Sequence, residues 1–200
     1  MAAKRIFDFL VSSLLLLIMS PLFLAIAALV RIDSPGPAFF RQERVGQFGR
    51  TFRIRKFRTM RHAPSPNALQ VTVAGDPRVT RVGAVLRRLK IDELPQLIDV
   101  LGGSMSLVGP RPEVPRYVSM WPDDARAEVL SVRPGITDPT AIEFFDESGL
   151  LADSPDPDET YIKVLIPRKL AGYRSYVRTQ SFGGDLRILL GTAARILGGR

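Results

Sequence analysis

The sequence predicts a mainly helical α+β protein, and three observations carry that prediction. An uncharged apolar run covers residues 9–30. Apolar residues recur at helical spacing in residues 79–91 and again in residues 185–197. Two short stretches in which Phe52 and Ile54 alternate with Arg53 and Arg55 flank a Gly46-Gln-Phe-Gly49 turn, the pattern of a small basic β-hairpin.

Within residues 9–30, only Ser12, Ser13, Ser20 and Pro21 are not plainly apolar. A straight helix over residues 6–30 would be about 37 Å long, enough for a hydrocarbon core of roughly 30 Å. The run is too long for the apolar part of a signal peptide, and no clear cleavage site follows it. No polar stripe marks a solvent face, which argues against a buried core helix. Two membrane readings remain, a spanning helix and a re-entrant one. Pro21 lacks an N–H and clashes with the preceding turn, so a kink is expected at Ser20-Pro21. Lys4 and Arg5 precede the run and Arg31 follows it, so flanking charge sets no orientation. From composition alone, spanning is the commoner outcome.

Asp33-Ser-Pro-Gly-Pro37 ends the helix and connects it to the hairpin, residues 39–44 and 51–59. Residues 61–77 hold three prolines and read as a loop. Val82, Val85, Leu86 and Leu89 give residues 79–91 one apolar face. Residues 95–101 form a short helix stopped by Gly102-Gly103. Residues 106–115 hold Gly-Pro-Arg-Pro and read as a stiff irregular loop. Residues 117–129 and 161–178 read as helices, 133–137 as a turn, and 153–158 as a polar, Pro-rich loop. The last helix, residues 185–197, turns Leu186, Leu189, Leu190, Ala193 and Leu197 to one side. The division expected is a membrane helix at 1–32 and one further domain at 33–200.

The chain has 28 Lys+Arg against 20 Asp+Glu, a formal net charge of +8, which favours anionic partners. It has no cysteine, excluding disulfides and thiolate metal sites, and its single histidine, His62, argues against catalytic zinc. A hard cation held by carboxylate and substrate phosphate stays open.

The stretch with most chemistry is Leu86-Arg-Arg-Leu-Lys-Ile-Asp-Glu-Leu-Pro-Gln96. Pro95 disfavours helical geometry at Leu94 yet suits the first turn of a new helix, so Asp92 and Glu93 are expected at a helix junction. Exposed N–H groups there favour anions. In isolation the dipeptide is better explained by ordinary capping, with Arg88–Asp92 as an i,i+4 pair. Arg111 lies between Pro110 and Pro112, which would present its guanidinium rigidly to a phosphate. Lys56 and Arg58 follow the hairpin and read equally as solvated edge charges.

Taken together, these blocks resemble the bacterial sugar transferase family, the monotopic phosphoglycosyl transferases. The resemblance runs through Ser20-Pro21, Gln42-Glu-Arg-Val-Gly46, Lys56-Phe-Arg-Thr-Met60, Asp76-Pro-Arg-Val-Thr80, residues 87–96, Ser104-Met-Ser-Leu-Val-Gly-Pro-Arg-Pro112 and Arg133-Pro-Gly-Ile-Thr137. Their order and spacing are specific where each block is not.

The resemblance implies transfer of a phosphosugar from a UDP-sugar to polyprenol phosphate, with release of UMP, in glycoconjugate and polysaccharide biosynthesis. It implies Asp92 as the nucleophile, through a covalent aspartyl-phosphosugar, and as the contact to Mg2+. Glu93 is implied as its partner and Arg87 and Arg111 as phosphate-binding arginines, with Lys56 and Arg58 as further candidates. It also makes Ser20 and Pro21 the break of a re-entrant helix with both ends cytoplasmic. The catalytic domain would then sit on the cytoplasmic face of the bacterial inner membrane, amphipathic helices such as 185–197 lying among the phospholipids. The chain corresponds to the minimal catalytic form. It departs from many relatives at Lys90-Ile91, in place of Ser-Leu, and at Asp138-Pro-Thr-Ala141, in place of Gly-Trp-Ala-Gln, a region that bears on donor selection.

A lipid-binding surface protein would explain the charge but not the Asp-Glu-Leu-Pro-Gln and Gly-Pro-Arg-Pro blocks. A nucleic-acid partner is not expected, because no recognition-helix pattern accompanies the 22-residue uncharged segment. A homo-oligomer is compatible with the sequence.

Overall fold

The computed structural model describes residues 2–61, 72–141, 143, 144 and 146–198. His62 and residues 62–71 of the expected loop lie outside the described residues. The chain is mainly helical, with an antiparallel hairpin and a second, very small parallel sheet.

The first helix, α1 (Ala2–Asp33), is continuous across Pro21. Pro21 has no N–H for the carbonyl of Leu17, four residues back, and the Ser20 hydroxyl donates to that carbonyl instead, at 2.8 Å. One stripe of α1, including Asp8, Ser12, Ile26 and Val30, is buried against the rest of the chain. The opposite side exposes Leu10, Leu14, Leu17 and Leu24. Between Leu17 and Leu22 only Met19 is not exposed.

Both ends of α1 are bonded to the body that follows. Near its start, Lys4 pairs with Asp185 and donates to the Val108 carbonyl at 3.1 Å. Arg5 donates to the carbonyls of Val100 and Leu101 at 2.6 and 3.0 Å. Asp8 accepts from the Ser106 hydroxyl at 2.7 Å and from the Leu107 N–H at 3.3 Å. At the other end, Arg58 donates to the carbonyls of Val30 (3.2 Å), Ser34 (2.6 Å) and Pro35. Asp33 accepts from the Val82 N–H at 2.9 Å. Lys4 and Arg5, which resemble membrane-flanking cations in the sequence, are therefore internal structural groups.

The hairpin is β1 (Phe39–Val45) and β2 (Thr51–Phe57), paired in full register from Phe39↔Phe57 to Val45↔Thr51. Then come α2 (Arg81–Arg88), a 3₁₀ turn Ile91–Gln96, and α3 (Leu97–Leu101). Strand β3 (Ser106–Val108) lies parallel to β4 (Gly135–Thr137). These strands fall in the stretches read as a loop and a turn. Three residues are too few for a strand period to show, and the pair depends on Gly135, whose hypothetical Cβ would overlap the Gly109 backbone.

The expected helix at 117–129 is two, α4 (Pro115–Val118) and α5 (Asp123–Val129). Pro122 pushes Trp121 out of helical geometry, and the indole fills the core at the break. A turn of helix, α6 (Glu147–Ala152), precedes another, α7 (Pro157–Thr160), which starts inside the expected 153–158 loop where the Asp156 carboxylate accepts from the Glu159 N–H. The 161–178 helix opens as a π-turn, Tyr161–Leu165, before α8 (Ile166–Thr179). Pro167 cannot complete the regular bond, so the ladder loosens ahead of it. The last helix, α9 (Phe182–Leu197), begins earlier than expected because Ser181 caps it at the Gly184 N–H, 3.1 Å.

Three apolar clusters hold these elements. Tyr117, Trp121, Val129, Tyr161, Leu165 and Tyr173 form one among α4, α5 and α8. Val100, Met105, Leu107 and Tyr176 form a second with Val11 and Leu15 of α1. Ile26, Val30, Phe57 and Leu86 form the third, with Phe23 set edge-on to Phe57 at 5.4 Å.

Candidate active site

The Asp92-Glu93 pair stands at a helix junction, as expected, but the break has a different cause. Thr80 caps α2 at the Gly83 N–H, 3.0 Å. The helix ends at Arg88, and two residues on Lys90, at a left-handed φ of 55°, breaks the chain's direction. That single residue turns the chain, and Pro95 sits inside the 3₁₀ turn rather than starting a new helix. In a 3₁₀ turn successive residues are about 120° apart, so the two carboxylates point to different surroundings.

Glu93 faces inward. Its Oε1 accepts from Lys56 of β2 at 2.7 Å, and Arg111 forms a two-pronged contact with both of its oxygens, one prong at 3.0 Å. Burial works against ionising this carboxyl, but the charges of Arg111 and then Lys56 overcome it and hold it well below the usual carboxylate range. The Glu93 charge in turn raises Arg111 well above its ordinary value. Lys56 is lowered by burial, against the pull of Glu93.

Asp92 is only 8% exposed, yet it makes no hydrogen bond or ion pair among the described residues. Burial raises its carboxyl above the ordinary value and the Glu93 charge adds to this. Lys56, Arg87 and Arg111 pull it back down. The arrangement is one carboxylate neutralised by two cations beside a second left without a partner in their field. Such an unpaired carboxylate has a lone pair free for an electrophile or a hard cation.

The Arg111 loop is fixed from three sides. Gly135 donates to the Pro110 carbonyl at 3.0 Å, Val45 to the Glu113 carbonyl at 2.9 Å, and Arg44 to the Pro112 carbonyl at 3.1 Å. Behind it, Glu113 accepts from the Tyr161 hydroxyl, and Lys169 pairs with Glu147 while donating to the Tyr161 hydroxyl at 3.2 Å. Asp138, from the stretch where the sequence departs from the usual pattern, is turned inward and accepts from the Thr140 N–H at 2.7 Å. Arg44, Glu113 and Lys169 are not among the residues picked out in the sequence. Arg44 at least lies in the Gln42-Glu-Arg-Val-Gly46 block.

The structure thus brings together Lys56, Arg87, Asp92, Glu93 and Arg111. It does not bring Arg58 to them. That residue is buried at 5% exposure and its two terminal guanidinium nitrogens donate to the carbonyls at the end of α1. Alternation alone would put Lys56 and Arg58 on one face, but Arg58 lies past the end of β2 and turns to the end of α1 while Lys56 points to Glu93. Ser20 and Pro21 lie on the exposed middle of α1.

The model of the bacterial sugar transferase family matches residues 1–199 of this sequence. The chain belongs to that family. Among sugar transferase relatives, it is 43% identical over 163 residues to the UDP-N-acetylgalactosamine-undecaprenyl-phosphate N-acetylgalactosaminephosphotransferase of Aeromonas hydrophila, covering 80% of this chain and 37% of that protein. It is 39% identical over 199 residues to the UDP-glucose:undecaprenyl-phosphate glucose-1-phosphate transferase of Xanthomonas campestris pv. campestris, covering 98% and 39%. With the protein of the same name from Caulobacter vibrioides it shares 38% identity over 199 residues, covering 97% and 69%. The chain therefore spans about two fifths of the length of the first two of these sugar transferases.

Proposed function

We propose that this chain transfers a phosphosugar from a UDP-sugar to polyprenol phosphate, with Asp92 as the nucleophile. The observation that carries the reading is the unequal pair: Glu93 bound by Lys56 and Arg111, and beside it Asp92, without a hydrogen bond or ion pair among the described residues. The relatives differ in the sugar they name and agree on undecaprenyl phosphate.

In the first step an Asp92 oxygen attacks the sugar-proximal phosphorus. The bond from that phosphorus to the bridging oxygen breaks, UMP leaves with the electron pair, and an aspartyl-phosphosugar remains. In the second step an oxygen of polyprenol phosphate attacks the same phosphorus, the aspartyl bond breaks, and the carboxylate is regenerated. Such transfer needs alignment and charge neutralisation more than proton movement. Arg87 and the unengaged N–H groups of Arg111, whose side chain is one-third exposed, supply positive charge for the diphosphate. Glu93 holds Lys56 and Arg111 in position.

The donor set suits a magnesium ion held by one carboxylate and substrate oxygens. Glu93 is engaged by its cations, so Asp92 is the residue that would hold it. Bound there, the ion supplies charge neutralisation on the diphosphate.

We further read α1 as re-entrant, with both ends on the cytoplasmic face of the inner membrane. Three features support this: both ends of α1 are bonded to one folded body, the apolar middle is exposed, and Ser20 serves the carbonyl that Pro21 orphans. A helix of 32 residues, about 48 Å if straight, would separate its ends across a bilayer.

The test is intact-mass analysis after incubation with UDP-sugar and magnesium in the absence of acceptor. A phosphosugar adduct is expected on Asp92. Asp92→Asn should lose adduct and turnover while still sedimenting with lipid vesicles. Turnover at the wild-type rate in that variant would overturn the assignment.

A further inference from the structure

The outer face of α2 is unusual for a helix so close to a charged site. Its inner face, Val82 and Leu86, packs on Ile26 and Val30 of α1. Its outer face leaves Val85 48% and Leu89 40% exposed, with Arg81 and Arg88 exposed beside them. At 100° per residue the side chains follow one another around the helix in a fixed order. From the α1 side come Val82, then Leu89 and Val85, then Arg81 and Arg88, then the small Ala84, and finally Arg87, whose charge acts on Asp92. Arg88 has no hydrogen bond or ion pair among the described residues. Leu29 and Ile32, near the end of the same α1 that Val82 and Leu86 pack against, are also exposed.

We infer that this face receives the acceptor: Val85 and Leu89 carry the first isoprene units, and Arg88 takes the phosphate and passes it to Arg87 and Asp92. The inference rests on the reading of the chain as a phosphoglycosyl transferase. The occupant is a phosphomonoester on a long branched hydrocarbon. Its two halves match the two halves of the strip, apolar where it adjoins α1 and cationic where it nears the carboxylates. A soluble nucleotide-sugar has no use for the apolar half. A phospholipid headgroup, a phosphodiester held at the bilayer surface, has no reason to move from Arg88 to the nucleophile.

The experiment separates the two half-reactions in the full chain in detergent. Adduct formation from donor alone reports the first, and the KM for undecaprenyl phosphate reports the second. Arg88→Gln removes one charge-assisted contact, so acceptor KM should rise about tenfold while adduct forms as in the wild type. Val85→Ser with Leu89→Ser should abolish the preference for undecaprenyl phosphate over geranyl phosphate. An unchanged acceptor KM in Arg88→Gln overturns the inference. So does weaker binding of that variant to vesicles of anionic phospholipid with acceptor KM unchanged, which makes the face a general lipid contact. If the wild type itself forms no adduct, the underlying enzymatic reading fails and the inference falls with it.

Discussion

Replacing Arg58 by methionine separates the role its sequence position suggests from the role its contacts show. The guanidinium donates to the carbonyls of Val30, Ser34 and Pro35, and Gly36, at a φ of 121°, lets it approach where a Cβ would overlap it. Methionine keeps the apolar stem and leaves the Ser34 and Pro35 carbonyls without a donor, while the Val30 carbonyl keeps only the long bond from the Ser34 N–H at 3.3 Å. A hydrogen bond to a charged group contributes about 1.5–3 kcal/mol net, and such contributions do not add fully. Some of the exposed carbonyls will recover water, so a loss of about 3–4 kcal/mol is expected. For a chain of this size that lowers Tm by roughly 6–16 °C. Arg58→Lys restores one donor and should fall between. The assay is thermal unfolding in one detergent, together with donor KM from UMP release well below the transition. A Tm within 2 °C of the wild type with a tenfold higher donor KM (about 1.4 kcal/mol of lost phosphate contact) would refute the structural role.

Gly83→Ala would ordinarily stabilise a helix by up to about 1 kcal/mol. Here the new Cβ would overlap the Thr59 backbone, so a net loss of about 2 kcal/mol and a lower Tm are expected; a raised Tm would show that α2 does not pack so closely on the end of β2. Glu93 has a folded pKa depressed below its ordinary 4.5, so its stabilisation is complete above that value and is lost as pH falls through the folded value. The stability difference between wild type and Glu93→Gln should be flat above about pH 5.5 and shrink below about pH 4.5; a difference that widens on acidification in denaturant titrations would contradict this. Because the chain has no cysteine, Ala3→Cys and Arg31→Cys report topology singly. Neither should react with an impermeant thiol reagent in intact cells, and both should react in inverted vesicles. Reaction at only one of them in intact cells would restore the spanning helix.

Much of this architecture is legible in the residues because local chemistry dictates it. The uncharged run, the hairpin alternation and the amphipathic stripe of α2 are short-range signals that long-range packing does not overrule. The Asp92-Glu93 junction is legible as a place but not in its cause, since nothing in the sequence marks Lys90 as left-handed where glycine would be usual. Strands β3 and β4 are opaque because a three-residue parallel pair exists only through a partner 29 residues away, Ser106 with Gly135. Lys4 and Arg5 mislead for a related reason: flanking cations and buried capping groups look the same until Asp185 and the carbonyls of α3 are placed beside them. Arg58 misleads because its motif neighbour Lys56 does reach the site, and only the geometry of the strand end separates the two.

The arrangement of β2 shows why membrane helix and site are hard to treat as separate parts. Four consecutive residues each commit to a different partner. Arg55 binds Asp99 of α3 through its side chain and its N–H, the latter at 2.9 Å. Lys56 holds Glu93. Phe57 packs against Phe23 of α1, and Arg58 binds the end of α1. A strand is stiff over so short a span, and its side chains alternate by fixed geometry. A shift of α1 at Phe23 or Val30 therefore moves Phe57 and Arg58, and with them the Lys56 ammonium one residue away. Lys56 and Arg111 share the Glu93 carboxylate, so that displacement reaches both cations that neutralise it. The position of α1 and the electrostatic field at Asp92 are thus set by the same few residues.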